Sequence, residues 1–369
     1  GLGDVYKRQA SRMQLAGDEE GSFERWFRAS AAFARDAAAE WHDGTVFPQR
    51  RQFGQWVSEQ FDAVKQHSPV ELLHVQDRAV ALRQGTVSTA SGAHLNADIV
   101  VLAISHPAPQ LPSALASLAP HPALIADPWR EGALSQIAPD NRVAIVGTGL
   151  TMSDMVATLD RQGHRGPVTV FSRRGQLPRS SLTEDNFSWH LGIDFSKPLG
   201  VRAWLRRIRQ DIRQAAARHI PWQVVFDEVR HNGQAIWQSL SLDEQRRFLR
   251  HLRPWWDVHR YRIAPQVGQV LKHHQRSGTL RVLAARLTAA AALPSAVRLS
   301  LQPRSGGVQA LEVDKIIVTT GPAHGALIER DALLNQLAQD GVIQSDPLAL
   351  GIHVNARSQT LNPQAVSYT

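Results

Sequence analysis

The sequence contains no cysteine. Disulfide frameworks, thiolate metal sites and the paired thiols of a disulfide reductase are therefore excluded together. Long apolar runs are missing too. The longest apolar stretch, 97–104, is about eight residues even with Asp98 counted, far short of the ~20 that span a bilayer as a helix. No N-terminal segment runs from basic to apolar to small residues as a secretory signal does, so a cytoplasmic location is expected. Acidic residues are scarce in the middle of the chain. Residues 161–281 hold 22 Lys and Arg against 9 Asp and Glu, a balance of +13 in a chain of net charge +8, which leaves −5 for the remainder. A basic middle suits nucleic acid or an anionic cofactor and substrate. Arginines on helices that also carry apolar stripes can equally form a solvated face.

At 43% hydrophobic and 20% charged residues, the 369-residue chain has the composition of a folded globular protein and length enough for two domains. Its organising stretch is 142–154, RVAIVGTGLTMSD. The apolar run Val143 to Val146 reads as a buried parallel strand, and 150–159 as the helix that follows. Between them stand Gly147, Thr148 and Gly149, with Leu150, Thr151 and Met152 in the first helical turn. One glycine permits a sharp turn, the second lets backbone approach a pyrophosphate, and the helix start presents bare N–H groups to the anion. Met152 occupies the third fingerprint position, where glycine is usual. A second apolar run, 168–171, has the spacing of the next strand in a βαβ unit and leads into Ser172, Arg173 and Arg174, 25 positions after Gly147. An NAD site usually places a carboxylate there for the ribose hydroxyl. Two arginines and a serine suit a 2′-phosphate, so NADP(H) is the expected dinucleotide.

Elsewhere the periodicity predicts a helix over 22–41 with Ser22 as N-cap and a second carrying Phe53, Trp56, Val57, Phe61 and Val64. Short β-like runs follow at 70–75, 79–83 and 86–89, then a buried strand at 97–103 and a proline-rich connection. Helices are expected at 201–212, 222–230, 234–240, 242–252 and 265–275, strands at 280–284, 297–301 and 315–319, a helix at 326–337 and a last strand at 351–354. Residues 1–9 and 366–369 resemble adapter read-through and are set aside, with the expectation of a chain cut at both ends.

Several stretches, in order, resemble the FAD/NAD(P)-binding oxidoreductases of the flavin-monooxygenase-like superfamily, in particular a bacterial group whose relatives include a urate hydroxylase and an aspartate N-hydroxylase. They are RRQFG from Arg50, DIVVLAISHPAP from Asp98, Asp127-Pro128-Trp129, GTGLTMSD from Gly147, Gly163-His164 through SRRG at Ser172, PWWDVHRYRIAP from Pro254 and VDKIIVTTGP from Val313. The resemblance covers nearly all of 10–365. It implies an α/β fold of two Rossmann-like doubly wound domains, the NADP domain inserted in the FAD domain. The divisions would be a partial FAD-binding domain at 10–119, an NAD(P)-binding domain at 120–322 with a helical insertion over about 187–278, and a return to the FAD domain at 323–365. It also implies FAD and NADP(H) as cofactors, a small-molecule substrate, and molecular oxygen as a candidate co-substrate. Two departures stand out. No strand, GxGxxG turn and helix for FAD lies upstream of Ala10, and the Ala-Thr-Gly strand end of relatives is here Ala103-Ile104-Ser105. Whether this chain binds FAD is therefore left open.

Arg50 and Arg51 resemble positions near the flavin in relatives, and Gly321 keeps the glycine of the later strand-end motif. His259, beside two tryptophans and two arginines, is the catalytic candidate; because in the family it resembles the flavin carries the chemistry, no protein acid or base is demanded. Adjacent His273 and His274 cannot both face one metal from a helix, and Ser180-Ser181 lack a His/Asp pattern, so neither a metal site nor a serine hydrolase is expected. The favoured function is an FAD- and NADPH-dependent oxidoreductase, with a monooxygenase as the specific form. A non-catalytic NADP(H)-binding protein or flavin-less remnant is the alternative. A nucleic-acid binder using the Arg-rich insertion ranks below both, since no recognition module is present. Substrate and oligomeric state stay open.

Overall fold

A computed structural model describes residues 13, 15, 19–104, 109–182, 187–195, 199–321 and 327–361. The segments read as adapter sequence, and with them Ser105 and Pro322, lie outside the described residues. In chain order the helices are α1 (Ser22–Ala29), α2 (Ala31–Ala34), α3 (Arg50–His67), α4 (Leu150–Arg161), α5 (Val201–Ala217), α6 (Trp222–His231), α7 (Gly233–Ser239), α8 (Leu242–His251), α9 (Arg253–Arg260), α10 (Pro265–Arg276), α11 (Leu327–Arg330) and α12 (Ala332–Gln339). The strands are β1 (Ala79–Arg83), β2 (Thr86–Thr89), β3 (His94–Asn96), β4 (Leu124–Ile125), β5 (Val143–Val146), β6 (Val168–Ser172), β7 (Leu280–Ala292), β8 (Val297–Pro303), β9 (Gln309–Val313) and β10 (Lys315–Val318). The chain separates into two units, one of 1–64 with 111–320 and one of 65–110 with 321–369.

The larger unit is built on a seven-stranded sheet in the order β4-β10-β5-β6-β7-β8-β9. Strands β4, β10, β5, β6 and the first half of β7 run parallel; the second half of β7, with β8 and β9, is antiparallel. Side chains alternate between the faces of a strand, and here both faces are covered. Val143, Ile145, Val168, Val170 and Ile317 enter one core with Met152, Met155 and Leu159 of α4 and Val267 and Leu271 of α10. Ala144, Val146, Phe171, Ile316 and Val318 enter the other, with Leu115, Leu118 and Val297, Leu299 and Leu301 of β8. Sheet strands buried on both sides read as near-continuous apolar runs, which is why 143–146 and, with Thr169 its one polar member, 168–171 were legible. The alanine-rich 289–292 is the antiparallel end of β7, paired with β8.

Arg142 and Asp314 fasten the starts of β5 and β10. The Asp314 carboxylate accepts from the Arg142 backbone N–H (2.7 Å), Nε (3.2 Å) and Nη2 (2.7 Å). The side-chain bonds from Arg142 hold the Asp314 carboxyl below its usual range. A depressed folded pKa stabilises above the unfolded value and is lost as pH falls through the folded one. Asp314→Asn is therefore expected to cost roughly 1 kcal/mol at pH 7, solvent screening included, with the gap to the native protein closing in acid. Denaturant titrations at neutral and acid pH check this.

The expected helix over 22–41 is broken. Gly21, in a left-handed conformation (φ 72), precedes α1 and displaces Ser22 as N-cap. The helix stops at Ser30, whose hydroxyl donates to the Phe27 carbonyl at 2.7 Å and competes with the helical ladder. α2 and a 3-10 turn at Ala37–Ala39 follow.

The smaller unit holds the antiparallel meander β1-β2-β3. Gln84 (φ 49) and Gly85 (φ 76) form the two-residue turn that favours a twisted hairpin. Leu82 packs with Leu334, Leu337 and Ile343, and its backbone N–H donates to Gln336 Oε1 at 2.9 Å. The expected helix over 326–337 is two pieces, α11 and α12, with Asp331 accepting from the Leu334 N–H at 3.0 Å as the second helix's cap. Three expected strands do not form. Residues 97–103 are irregular, with Ile99 82% and Val101 80% exposed. Residues 70–75 are likewise irregular, and 351–354 take part only in isolated bridges. β-propensity reflects packing against neighbours, and among the described strands none pairs with 97–103 or 70–75.

Candidate functional site

The chain order reverses at β5, which continues through α4 to β6 on one side and has β10 on the other. A crevice beyond the carboxyl ends of strands at such a reversal is where doubly wound folds bind ligands. Three strand ends meet there: Val146 leads to Gly147, β6 closes on Ser172, and β10 runs into Thr319.

The two glycines of the turn answer different demands. Gly147 has φ +116, and a Cβ there would stand 2.6 Å from Thr319 Oγ1 and 2.7 Å from the Thr319 carbonyl oxygen. Its N–H donates to the Phe171 carbonyl (2.9 Å), while Thr319 N–H and Oγ1 both donate to the Val146 carbonyl (2.9 and 3.0 Å). Glycine at 147 is thus required by the protein itself. Gly149 is exposed, adopts extended backbone, and nothing lies within 4 Å of where its Cβ would be. Gly149 is the N-cap of α4 and offers no side chain to cap it. The first intrahelical bond is Ser153 N–H to the Gly149 carbonyl (3.2 Å), so Leu150, Thr151 and Met152 contribute the uncapped N–H groups of the first turn. Their donors, and the helix dipole behind them, favour an anion.

Met152 is fully buried in the core under the sheet and contributes its N–H, not its side chain. Thr148 is also buried, with Oγ1 2.8 Å from Ser172 Oγ, and Ser172 Oγ accepts from the Gly175 N–H at 3.0 Å. Arg173 is exposed and Arg174 half-buried on the turn between, and neither makes a side-chain hydrogen bond or ion pair among the described residues. The Thr148–Ser172 contact and the Thr319 wall went unseen in the sequence. Both join residues from different strands, and only the sheet order brings them together.

The remaining candidates lie elsewhere. Arg50 and Arg51 open α3 and are exposed. Gly321 (φ 81) falls in the smaller unit. His259 sits on α9, stacked on Phe226 (5.0 Å, 23°) and edge-on to Trp222 (5.1 Å, 84°). Its Nδ1 lies 2.7 Å from the Trp255 carbonyl. A carbonyl only accepts, so Nδ1 carries a proton. On the same helix, burial pushes the Asp257 carboxyl up, against Arg253 and Arg260. His274 bonds Asp160 Oδ1 and Thr279 Oγ1, each at 2.7 Å, and among the described residues no three side chains converge as a metal site.

A family model described as FAD-NAD(P)-binding matches residues 6–107. A comparison with curated proteins found no match. Among solved structures, the chain is similar to reduced ornithine hydroxylase from Pseudomonas aeruginosa, at 14% identity over 91% of this chain and 74% of that one, with a TM-score of 0.54. L-lysine 6-monooxygenase from Pseudomonas syringae is similar at 16% identity over 92% and 72%, with a TM-score of 0.55. The chain has the α/β fold of these hydroxylases. Ornithine N-hydroxylase from Kutzneria sp. 744, solved with reduced FAD, NADP+ and L-ornithine, aligns at 16% identity over 92% of this chain and 76% of its own, with a TM-score of 0.51. These findings agree with the resemblance read from the motifs.

Proposed function

We propose that the chain binds NADP(H) at the turn from Gly147 to Met152 and works as part of an FAD- and NADPH-dependent oxidoreductase, a monooxygenase acting on a small molecule with oxygen. The observation that carries this reading is the open ground above Gly149 beside the uncapped N–H donors of α4, with two arginines, without partners among the described residues, following the end of the neighbouring strand β6. The residues fit a phosphorylated dinucleotide. The backbone N–H groups of Leu150, Thr151 and Met152 would hold its pyrophosphate, and Arg173 and Arg174 its 2′-phosphate. Bound NADPH supplies a hydride.

FAD fits less well on the residues at hand. The described parts of 19–104 contain no strand, glycine turn and helix in succession. The FAD half of the reading rests on the family model over 6–107 and on the shared fold. The same observation favours a second reading, an NADP(H)-binding protein without turnover.

Calorimetric titration of the purified chain with NADP+ and NAD+ tests the nucleotide site. Tighter binding of NADP+ is expected, with Arg173→Gln/Arg174→Gln weakening NADP+ roughly a hundredfold and NAD+ little, as two charge-assisted contacts would. Equal affinities in the native chain would remove the 2′-phosphate assignment. NADPH oxidation measured with FAD added separates the two readings, since the non-catalytic one forbids it.

A further inference from the structure

We propose that Thr148 and Ser172 are positioning residues that set the preference for a 2′-phosphorylated over an unphosphorylated dinucleotide. The inference rests on the nucleotide reading above. It starts from the condition of the two arginines. Several arginines elsewhere in this unit are held by a carboxylate: Arg142 by Asp314, Arg262 by Asp227 and Arg207 by Asp211. Arg173 and Arg174 have no such partner among the described residues, so the course of their backbone decides where the guanidinium groups stand.

One hydroxyl ties that course at two points. Ser172 Oγ accepts from the Gly175 N–H at 3.0 Å and so closes the turn across both arginines. The exit is blocked from the other side, because Gly175 (φ +60) stands where a Cβ would lie 3.0 Å from Ala284 N on β7. The entry is tied by the same hydroxyl to Thr148 Oγ1, 2.8 Å away. Thr148 lies between Gly147 and Gly149. A single hydroxyl pair therefore connects the backbone that would meet the pyrophosphate with the backbone that would aim at the 2′-phosphate. Either oxygen can donate in the Thr148–Ser172 contact, while the Gly175 N–H can only donate to Ser172.

Both links are short-range and directional, which suits setting a distance more than supplying affinity. A phosphate gripped by forked guanidinium groups is sensitive to displacements of about 0.5 Å. Loss of the Ser172 hydroxyl would leave the Gly175 N–H and Thr148 Oγ1 without their present partner and let the arginine turn relax. The Gly147 side keeps bonds of its own, Gly147 N–H to the Phe171 carbonyl and Thr319 N–H and Oγ1 to the Val146 carbonyl, so the Gly149 approach would move less than the arginine turn. The consequence falls on NADP(H) and spares NAD(H), an asymmetry that a merely structural role would not produce.

The test measures dissociation constants for NADP+ and NAD+ on the full chain by calorimetry, for the native protein, Ser172→Ala, Thr148→Val, Thr148→Ser and the Ser172→Ala/Thr148→Val pair. Ser172→Ala is expected to weaken NADP+ about tenfold and to change NAD+ less than about twofold, so the preference falls by most of a decade. Thr148→Val is expected to act in the same direction and Thr148→Ser, which keeps the hydroxyl, to retain the native preference. The double variant should be no worse than Ser172→Ala alone, as for two residues acting through one bond. Equal losses for both nucleotides, or an unchanged preference in Ser172→Ala and Thr148→Val, would overturn the inference while leaving the nucleotide site in place. A native chain that binds neither nucleotide would overturn the underlying reading, and this inference with it. Should Ser172→Ala not fold, Thr148→Val and its serine counterpart carry the same comparison.

Discussion

Gly147→Ala is expected to abolish the folded larger unit or destabilise it by roughly 3–5 kcal/mol, whereas Gly149→Ala, a poorer N-cap, is expected to cost no more than about 1 kcal/mol and to weaken dinucleotide binding ten- to a hundredfold. The two residues are one position apart, and their environments are opposite. A methyl group at 147 would lie 2.6 Å from Thr319 Oγ1 and 2.7 Å from its carbonyl oxygen, and φ +116 is unavailable to alanine without strain. Relief would require β10 to draw away from β5, which shares four residue pairs with it in the sheet. A methyl group at 149 meets no protein atom within 4 Å, and its extended backbone suits any residue. It would instead occupy the space a pyrophosphate needs. Denaturant unfolding read beside calorimetric titration separates the two effects. Similar behaviour of both variants would mean that the space above Gly149 is not a ligand's.

That contrast marks how far the sequence could be read. The strand, turn and helix at 142–159 were legible because a strand buried on both faces is apolar without interruption and the glycine pair after it stands between that strand and a helical pattern, with a second strand at βαβ spacing beyond. The helical region was legible from its 3.6-residue period, with Val201 and Trp204 buried on α5 as the spacing requires. What escaped detection was nonlocal. Thr319 reaches Gly147 across more than 170 positions of chain, and Ser172 reaches Thr148 through the pairing of β5 with β6. The sequence also overstated strands wherever apolar, β-branched residues lacked a partner. Residues 97–103 contain the pattern of a central strand, yet no described strand pairs with them, and Ile99 and Val101 stand in solvent. Propensity nominates a strand; a ladder of neighbours makes one.

Met152→Gly brings the sequence closer to the usual dinucleotide fingerprint and is nonetheless expected to destabilise the protein by roughly 3–5 kcal/mol. The third glycine of that fingerprint serves close packing of helix on strand. In this chain the position is filled: Met152 is fully buried and joins Val143, Ile145 and Val170 of the sheet with Met155 and Leu159 of α4 in one core. Removing its side chain leaves a cavity that neighbours on a regular sheet and helix can collapse into only partly. Glycine also raises the backbone entropy lost on forming the first turn of α4. The main-chain N–H at 152 is unchanged, so whatever fraction remains folded should keep its nucleotide affinity within a few fold. A urea titration gives the stability loss and a binding isotherm the affinity. A neutral Met152→Gly would mean that α4 can approach the sheet more closely than its present packing allows. A stable variant that loses binding would mean that the methionine side chain, and not the bare amides beside it, faces the ligand.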